Sequence, residues 1–554
     1  MTPIPGHEKQ DRSFSSSSSI RYPSSLVFLR RNLRFSFRGF SRLFVARNPC
    51  SSVSIRGLNS FGSSFPLCVL SRLCGLLPAF ASRWCPHSRT AHSNAFLSLL
   101  TSTLLTGCAL GPNYHRPPLT APATFRGAPA RPSATNSLAD LHWWEMFQDD
   151  TLHELVHTAL TNNYDLRIAV ARLEQSRAIL WQNRSGLFPQ LGYQAGVGRG
   201  KNSAGNQPAF TGGNTADLFL FAGNASWEID VWGRIRRLTE TARAQYFASE
   251  QARRDVMVTL VSDVATAYFQ LLALDQELAI AKRSTNTFGE SLRIFSERLQ
   301  GGIVSKLETS AAEAALDSAA ATVPDIERQI FVAENQINVL LGRNPGPIPR
   351  VRRLSDELMR PDIPAGLPSA LLERRPDIRE AEENVRAANA QVGVAIADFF
   401  PHLSLTGLFG QVSPELSGLT GGAANAWNVA ANLIGPIFQG GRLIGAYRES
   451  LALRQEAALR YQSTAINAFR EVSNALISRE KYAEARIHQQ RAVQAYEVAV
   501  QVATERYIAG RAGYFEVLQE EQQLFPSENS LTQTELNQLL SYVQLYRALG
   551  GGWR

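Results

Sequence analysis

The sequence predicts a mainly α protein with a small β-barrel portion, built from two copies of one unit. Three observations predict this. Arg234 to Gln300 runs 67 residues with no proline and one glycine, Gly289, and Arg442 to Ile508 runs another 67 with only Gly445. At about 1.5 Å rise per residue, each makes a rod of roughly 100 Å, longer than an ordinary globular core. The two halves also match at a nearly fixed offset. Asp165-Leu166-Arg167 and Phe188-Pro189 return 212 residues later as Asp377-Ile378-Arg379 and Phe400-Pro401. Gly233-Arg234, Glu297-Arg298, Gly302 and Glu308 return 208 residues later as Gly441-Arg442, Glu505-Arg506, Gly510 and Glu516. A period this long means duplication of a whole structural unit. Finally, a pair of segments with period-two alternation precedes each rod, the mark of strands with two unlike faces.

The elements follow in order. Residues 1–90 form an unusual Ser/Arg-rich extension that includes the run Ser15–Ser19. They read equally as a disordered extension or as a start placed too far upstream. Residues 1–107 hold 13 basic and 2 acidic residues, so the net charge of +8 belongs to this segment and gives no argument for nucleic-acid binding. All five cysteines lie at or before Cys108, which excludes disulfide frameworks and cysteine-based zinc sites from the body.

Over residues 91–107, after Arg83, His87 and Arg89, an apolar run from Ala95 to Leu105 has the layout of a secretory signal and is too short to span a membrane. Leu105-Thr106-Gly107-Cys108 resembles the bacterial lipoprotein signal, in which the cysteine is lipidated (palmitate among its chains) and becomes residue one. Ala109 after it favours the outer membrane, anchored to a leaflet without spanning it. Residues 108–140 then read as an extended strap, rich in Pro, Ala and Thr.

The first unit covers 141–345 and the second 346–554. Trp143-Trp144 opens a helical pattern in which Leu152, Leu155, Val156, Ala159 and Leu160 share a face. His153-Glu154-Leu155-Val156-His157 is literally H-E-x-x-H, a zinc-peptidase pattern. It has no third ligand nearby, and an amphipathic helix whose polar edge carries two histidines is the preferred reading. Helices follow over 164–186 and 376–398, each stopped by Phe-Pro. Leu191, Tyr193, Ala195 and Val197 alternate with small or polar residues, as do Phe219 to Val231, Leu403 to Phe409 and Trp427 to Ile437. Four strands cannot close a barrel, and an open sheet leaves its edges unpaired. Such a chain has to borrow strands from copies of itself.

In the first rod, Met257, Val261, Val264, Tyr268, Leu271 and Leu278 step by three and four, with Asp275 in the missing place. Leu260, Ala267, Leu274 and Ala281 form a second stripe, which suits a helix with partners on both sides. Return helices over about 303–341 and 514–548 are expected to kink or break at Pro324 and Pro526. The turns Gly301-Gly302-Ile303-Val304-Ser305 and Gly510-Arg511-Ala512-Gly513 lie at the far end of the rods from the strands. They are natural docking points and a gate.

Together Gly107-Cys108-Ala109-Leu110-Gly111-Pro112-Asn113-Tyr114, Ser226-Trp227-Glu228-Ile229-Asp230-Val231-Trp232-Gly233, Glu373-Arg374-Arg375-Pro376-Asp377-Ile378-Arg379, Pro436 to Arg442 and Leu549 to Trp553 carry a resemblance. Over residues 105–554 the chain resembles the TolC-like outer membrane factors of tripartite efflux systems, in particular the NodT-type lipoproteins. The resemblance implies a homotrimer whose twelve strands close an outer membrane barrel above a helical periplasmic tunnel. It implies passive export of drugs or toxic solutes, and no catalytic residue, cofactor or metal. The implied partners are outer membrane lipid, an inner membrane pump, commonly of the RND type, and a periplasmic adaptor that docks at Gly302–Ser305 and Gly510–Gly513. Relatives often carry an aspartate after the second turn's glycine, where this chain has Arg511. Glu308, Glu516 and Lys306 are then the candidate charges at the constriction, either ringing the bore or held in local ion pairs with Lys306 or Arg511. A lipid-tethered zinc peptidase and a non-conducting structural lipoprotein are the alternatives.

Overall fold

A computed structural model describes residues 109–127, 149–201, 215–357, 368–421 and 424–551. The expectations for residues 1–90, the signal segment, Cys108, Trp143-Trp144 and Trp553 lie outside the described residues.

The first unit begins with α1 (Asp150–Asn162) and α2 (Tyr164–Ser185), the hairpin β1 (Gln190–Lys201) and β2 (Thr215–Ile229), then α3 (Arg234–Gln300) and α4 (Lys306–Leu340). The second repeats this with a short α5 (Pro368–Arg374), α6 (Pro376–Ala397), β3 (His402–Ser413), β4 (Asn425–Ile434), α7 (Arg442–Ile508) and α8 (Tyr514–Ala548). Both rods have the bounds and the 67-residue length read from the sequence. They start where Gly233 and Gly441 turn the chain out of the sheet at φ of +79° and +88°, a conformation that costs any residue with a Cβ.

The core is a helical layer around the middle of α3. Residues of both apolar stripes are buried in one cluster: Val261, Val264, Tyr268 and Leu271 from the first, Leu260 and Ala267 from the second. α3 packs against α1, α2, α4, α6 and α8, as a two-seam helix must. Asp275, the break in the stripe, is held by Arg350 at 2.6 Å, and Arg350 also binds Glu334 at 2.5 Å.

Of the expected kink or break at the two prolines, the break does not occur. Pro324 and Pro526 neither end nor interrupt their helices; α4 and α8 run through them. Both prolines are exposed. The carbonyls they leave without a backbone donor therefore lie where water can reach them, which lowers the cost of an interior proline.

Candidate functional site

The sheet has the order β1-β2-β3-β4 with every pair antiparallel. Its register places residues of one parity on one face. Leu191 lies opposite Ala225, Tyr193 opposite Gly223, Trp227 opposite Leu405, Phe409 opposite Trp427, and Leu403 opposite Leu433. That face is apolar from Leu191 to Val197 and across Phe221, Phe409, Trp427 and Val429, and most of these side chains stand exposed, Tyr193 at 82% and Val429 at 77%. The opposite face carries Gln190, Gln194, Asn224, Ser226, Glu228, Ser404, Thr406, Asn428 and Asn432. Six residue steps from Leu191 to Val197 make an apolar band of about 20 Å. An exposed apolar face of that height backed by a polar face is what a membrane barrel wall requires. The outer edges of β1 and β4 have no partner among the described residues.

Below the sheet, the segment Trp227 to Arg237 builds the junction with the rod. Asp230 accepts hydrogen bonds from the backbone N–H of Ile235 (3.1 Å) and Arg236 (2.9 Å), covering donors that the first turn of α3 leaves free. Glu228 pairs with Arg234 at 2.7 Å. Trp232 stacks on Phe400 at 4.7 Å and donates its indole N–H to the Pro401 carbonyl at 2.9 Å, joining the two repeats.

The strap is clamped to this junction. Leu110 donates its N–H to the Trp232 carbonyl at 3.0 Å. The buried Arg237 guanidinium donates to the Leu110 and Gly111 carbonyls and to Asn113 Oδ1, at 2.9, 3.2 and 3.2 Å. Asn389 holds the Pro112 carbonyl at 2.9 Å. Further on, Tyr114 donates to Glu382, and Arg116 pairs with Glu382 at 2.8 Å and with Glu373. Burial, then the Glu382 charge and hydrogen bond, push the Tyr114 phenol up to about 12. The sequence marks this segment only as extended; its anchoring residues lie more than 120 positions away in the chain.

Arg375 is the other buried node. It grips Asp377 through two hydrogen bonds (2.9 and 2.7 Å), Glu471 at 2.7 Å and the Ala548 carbonyl at 3.0 Å, tying α6, α7 and α8 together. This is the work of the Arg374-Arg375-Pro376-Asp377 motif. Nearby, burial and the charges of Asp255 and Asp377 push the Glu380 carboxyl up to about 7.

At the far end, the turns reverse through Gly302 and Gly510, at φ of +70° and +69°. Ile303 (73% exposed), Leu307, Ile508 and Phe515 present apolar side chains there. Gly302, Ser305, Gly510, Arg511 and Gly513 are exposed, Val304 and Ala512 partly so. Glu308 does not pair with Lys306. Its carboxylate accepts from the backbone N–H (2.6 Å) and hydroxyl of Ser305, a capping box that starts α4. Glu516 pairs with Arg506 at 3.0 Å, and Arg511 is not its partner. Behind the turns, Arg298 lies over the Tyr507 ring at 4.5 Å, Tyr507 packs edge-on to Tyr514 at 4.8 Å, and Tyr514 to Phe295 at 5.1 Å.

His153 and His157 sit on the solvent side of α1, whose buried face is Leu152, Leu155, Val156 and Ala159. Among the described residues no group of three or more His, Cys, Asp or Glu is placed to hold a metal ion.

The fold and its amphipathic sheet define a membrane channel subunit with a long helical extension. Comparison with known proteins agrees. The chain matches the family described as outer membrane efflux protein over residues 155–343 and again over 367–551, once per repeat. It is 34% identical over 467 residues to a protein of Pseudomonas putida named as the probable efflux pump outer membrane protein TtgC, covering 83% of this chain and 96% of that one. It is 32% identical over 460 residues to the cation efflux system protein CusC of Escherichia coli, covering 83% and 98%. Among solved structures, the outer-membrane channel OprN superposes with a TM-score of 0.74 at 32% identity, covering 80% of this chain and 100% of that one. The open-state MtrE outer membrane channel of Neisseria gonorrhoeae does so with 0.73 at 30% identity, covering 81% and 99%. The chain belongs to the outer membrane efflux protein family and is an outer membrane efflux channel component.

Proposed function

We propose that three copies of this chain close a twelve-stranded barrel in the outer membrane, and that their rods wall one continuous tunnel through the periplasm. The observation that carries this reading is the sheet. It has an apolar exposed face, a polar reverse face and two open edges, and it cannot be stable in lipid until those edges are paired. Sister chains related by an axis supply the partners with the same β1 and β4 surfaces. The chain itself performs no chemistry; export is passive, with energy supplied by an inner membrane pump of the RND type.

The clamped strap supports lipidation at Cys108. With Ala109 against Gly233 at the foot of β2, acyl chains on the preceding residue enter the leaflet beside the barrel. At the other end, the exposed turns Gly302–Ser305 and Gly510–Gly513, with Ile303 and Leu307, are the docking surface for a periplasmic adaptor. Three copies each of Glu308, Glu516 and Lys306 sit at the level of the constriction. Glu308 and Glu516 act there first as local fasteners, the one starting α4 and the other tying α8 to α7. The names of relatives include toluene, antibiotic and cation efflux, and the cargo class here is small toxic solutes.

Planar-bilayer recording tests the conduit. The purified protein inserts and gives discrete conductance steps, larger in a Glu308→Ala/Glu516→Ala double variant whose tip fasteners are gone. Insertion without conductance in both proteins contradicts the conduit and leaves a structural lipoprotein.

A further inference from the structure

The layer of side chains just behind the tip turns holds one group that export does not call for. Glu521 lies on α8 between Leu518 and Phe525, at the three-and-four spacing that points into a helix interface, and it is only 6% exposed. The surrounding apolar cluster joins α3, α4 and α8 through Phe288, Phe295, Ala312, Ala315, Leu518 and Phe525. Glu521 lies 3.4 Å from Ser291 Oγ of α3, while that hydroxyl has two shorter contacts, the Tyr514 hydroxyl at 2.9 Å and the Thr287 carbonyl, to which it can donate, at 3.0 Å. The other titratable or charged groups near this layer are Arg283, Glu290, Arg293 and Arg298 on α3, Arg506 and Tyr507 on α7, and Tyr514 and Glu528 on α8; Arg283 lies over the Phe525 ring but is taken by Glu528, and Arg293 by Glu290 and Glu297. Arg506 is taken by Glu516 and Arg298 lies over Tyr507. α4 turns Ala312 and Ala315 inward and leaves Glu313 and Asp317 exposed. Among the described residues no cation pairs with Glu521.

We propose that Glu521 is a proton-operated latch on the tunnel tip: protonated, it lets α8 close against α3, and ionised, it loosens that contact and favours the open tip. The latch rests on the channel reading above. Its physical basis is that a carboxylic acid fits an apolar layer with one hydroxyl partner, whereas a carboxylate without a cation does not. Burial pushes the Glu521 carboxyl up to about 7, against a small opposing effect of the Ser291 hydrogen bond. The proton-linked stability of the α3–α8 contact is therefore fully present below the ordinary glutamate range and is lost as pH rises through about 7.

The test uses the full chain in detergent micelles, as wild type and Glu521→Gln, with hydrogen exchange followed in peptides covering 286–300 and 514–525. Taking the ratio of the two proteins at each pH removes the intrinsic pH dependence of exchange. The ratio is expected to stay near one at pH 5.5 and to rise several-fold, wild type faster, by pH 8.5. A ratio that does not change with pH overturns the latch. Ser291→Ala provides a second reading should the first variant fail to assemble: wild type against Ser291→Ala should show the transition midpoint moved upward, and an unmoved midpoint also overturns the proposal. Bilayer conductance recorded over the same range should rise with pH in wild type and stay flat in Glu521→Gln. A pH-dependent exchange ratio in a protein that never conducts would keep the latch and sink the conduit.

Discussion

At the scale of single residues, buried charge explains most of what the sequence motifs are for. Arg375 neutralises Asp377 and Glu471 and also takes the last carbonyl of α8. Removing one partner of such a node leaves the others uncompensated, so Arg375→Ala is expected to cost about 3 kcal/mol, seen as a lower melting temperature of the detergent-solubilised protein. Arg375→Lys should recover only part of this, because an ammonium cannot reproduce the two-pronged contact with Asp377. Glu380 gives a pH prediction. Its carboxyl is pushed up to about 7 by burial and by Asp255 and Asp377, so the folded state binds a proton that the unfolded chain releases near the ordinary glutamate range. Its stabilising contribution is present at low pH and disappears as pH rises through about 7. Glu380→Gln should therefore melt with wild type at pH 5.5 and above it at pH 8.5; parallel curves would contradict this. No such group was visible in the sequence, because burial of a lone glutamate leaves no trace in helical periodicity. Glu521 is the exception in retrospect, since it occupies a seam position between Leu518 and Phe525.

At the scale of elements, rods, strand pairs and turns were legible because each follows from local chemistry. Absence of proline and scarcity of glycine set the rods, alternation sets the strands, and the glycines at 301–302 and at 510 and 513 mark the turns at the rods' far end; that Gly233 and Gly441 turn the chain from sheet to rod came from the structure. The missing break at Pro324 and Pro526 has a local cause as well: sequence shows that a carbonyl loses its donor, but only the fold shows that both positions face water. The strap was legible as an extended segment but its seat was not, because the residues that hold it, Trp232, Arg237, Glu382 and Asn389, are distant in sequence. The repeat allows a paired test. Gly441→Ala forces a side chain into a left-handed backbone and is expected to cost about 1–2 kcal/mol. Gly233→Ala carries the same strain, and its added Cβ would also meet Ala109 Cα at 2.6 Å, so it should cost measurably more. Equal melting temperatures for the two variants would show that the strap is not seated on Gly233.

At the scale of the whole molecule, the two repeats fuse into one sheet through the β2–β3 pairing and into one helical layer through the packing of α3 on α6 and α8, with Trp232 stacked on Phe400. A single chain is nonetheless unfinished: its most apolar surface is also among its most exposed, and its sheet stops at two open edges. Neither lipid nor water satisfies an open sheet edge beside an apolar face. If the strap positions a lipid anchor, Cys108→Ser should reach the outer membrane fraction in smaller amount, and the part that inserts should still resist high salt and urea as wild type does, because the barrel itself holds it in the bilayer. The most direct test of the account is electron cryomicroscopy of the purified protein in lipid nanodiscs. The account predicts a three-fold particle in which twelve strands close a ring, with Leu191, Tyr193, Trp427 and Val429 facing lipid; a monomer whose four-stranded sheet stays open, or a ring with those side chains turned inward, would contradict it.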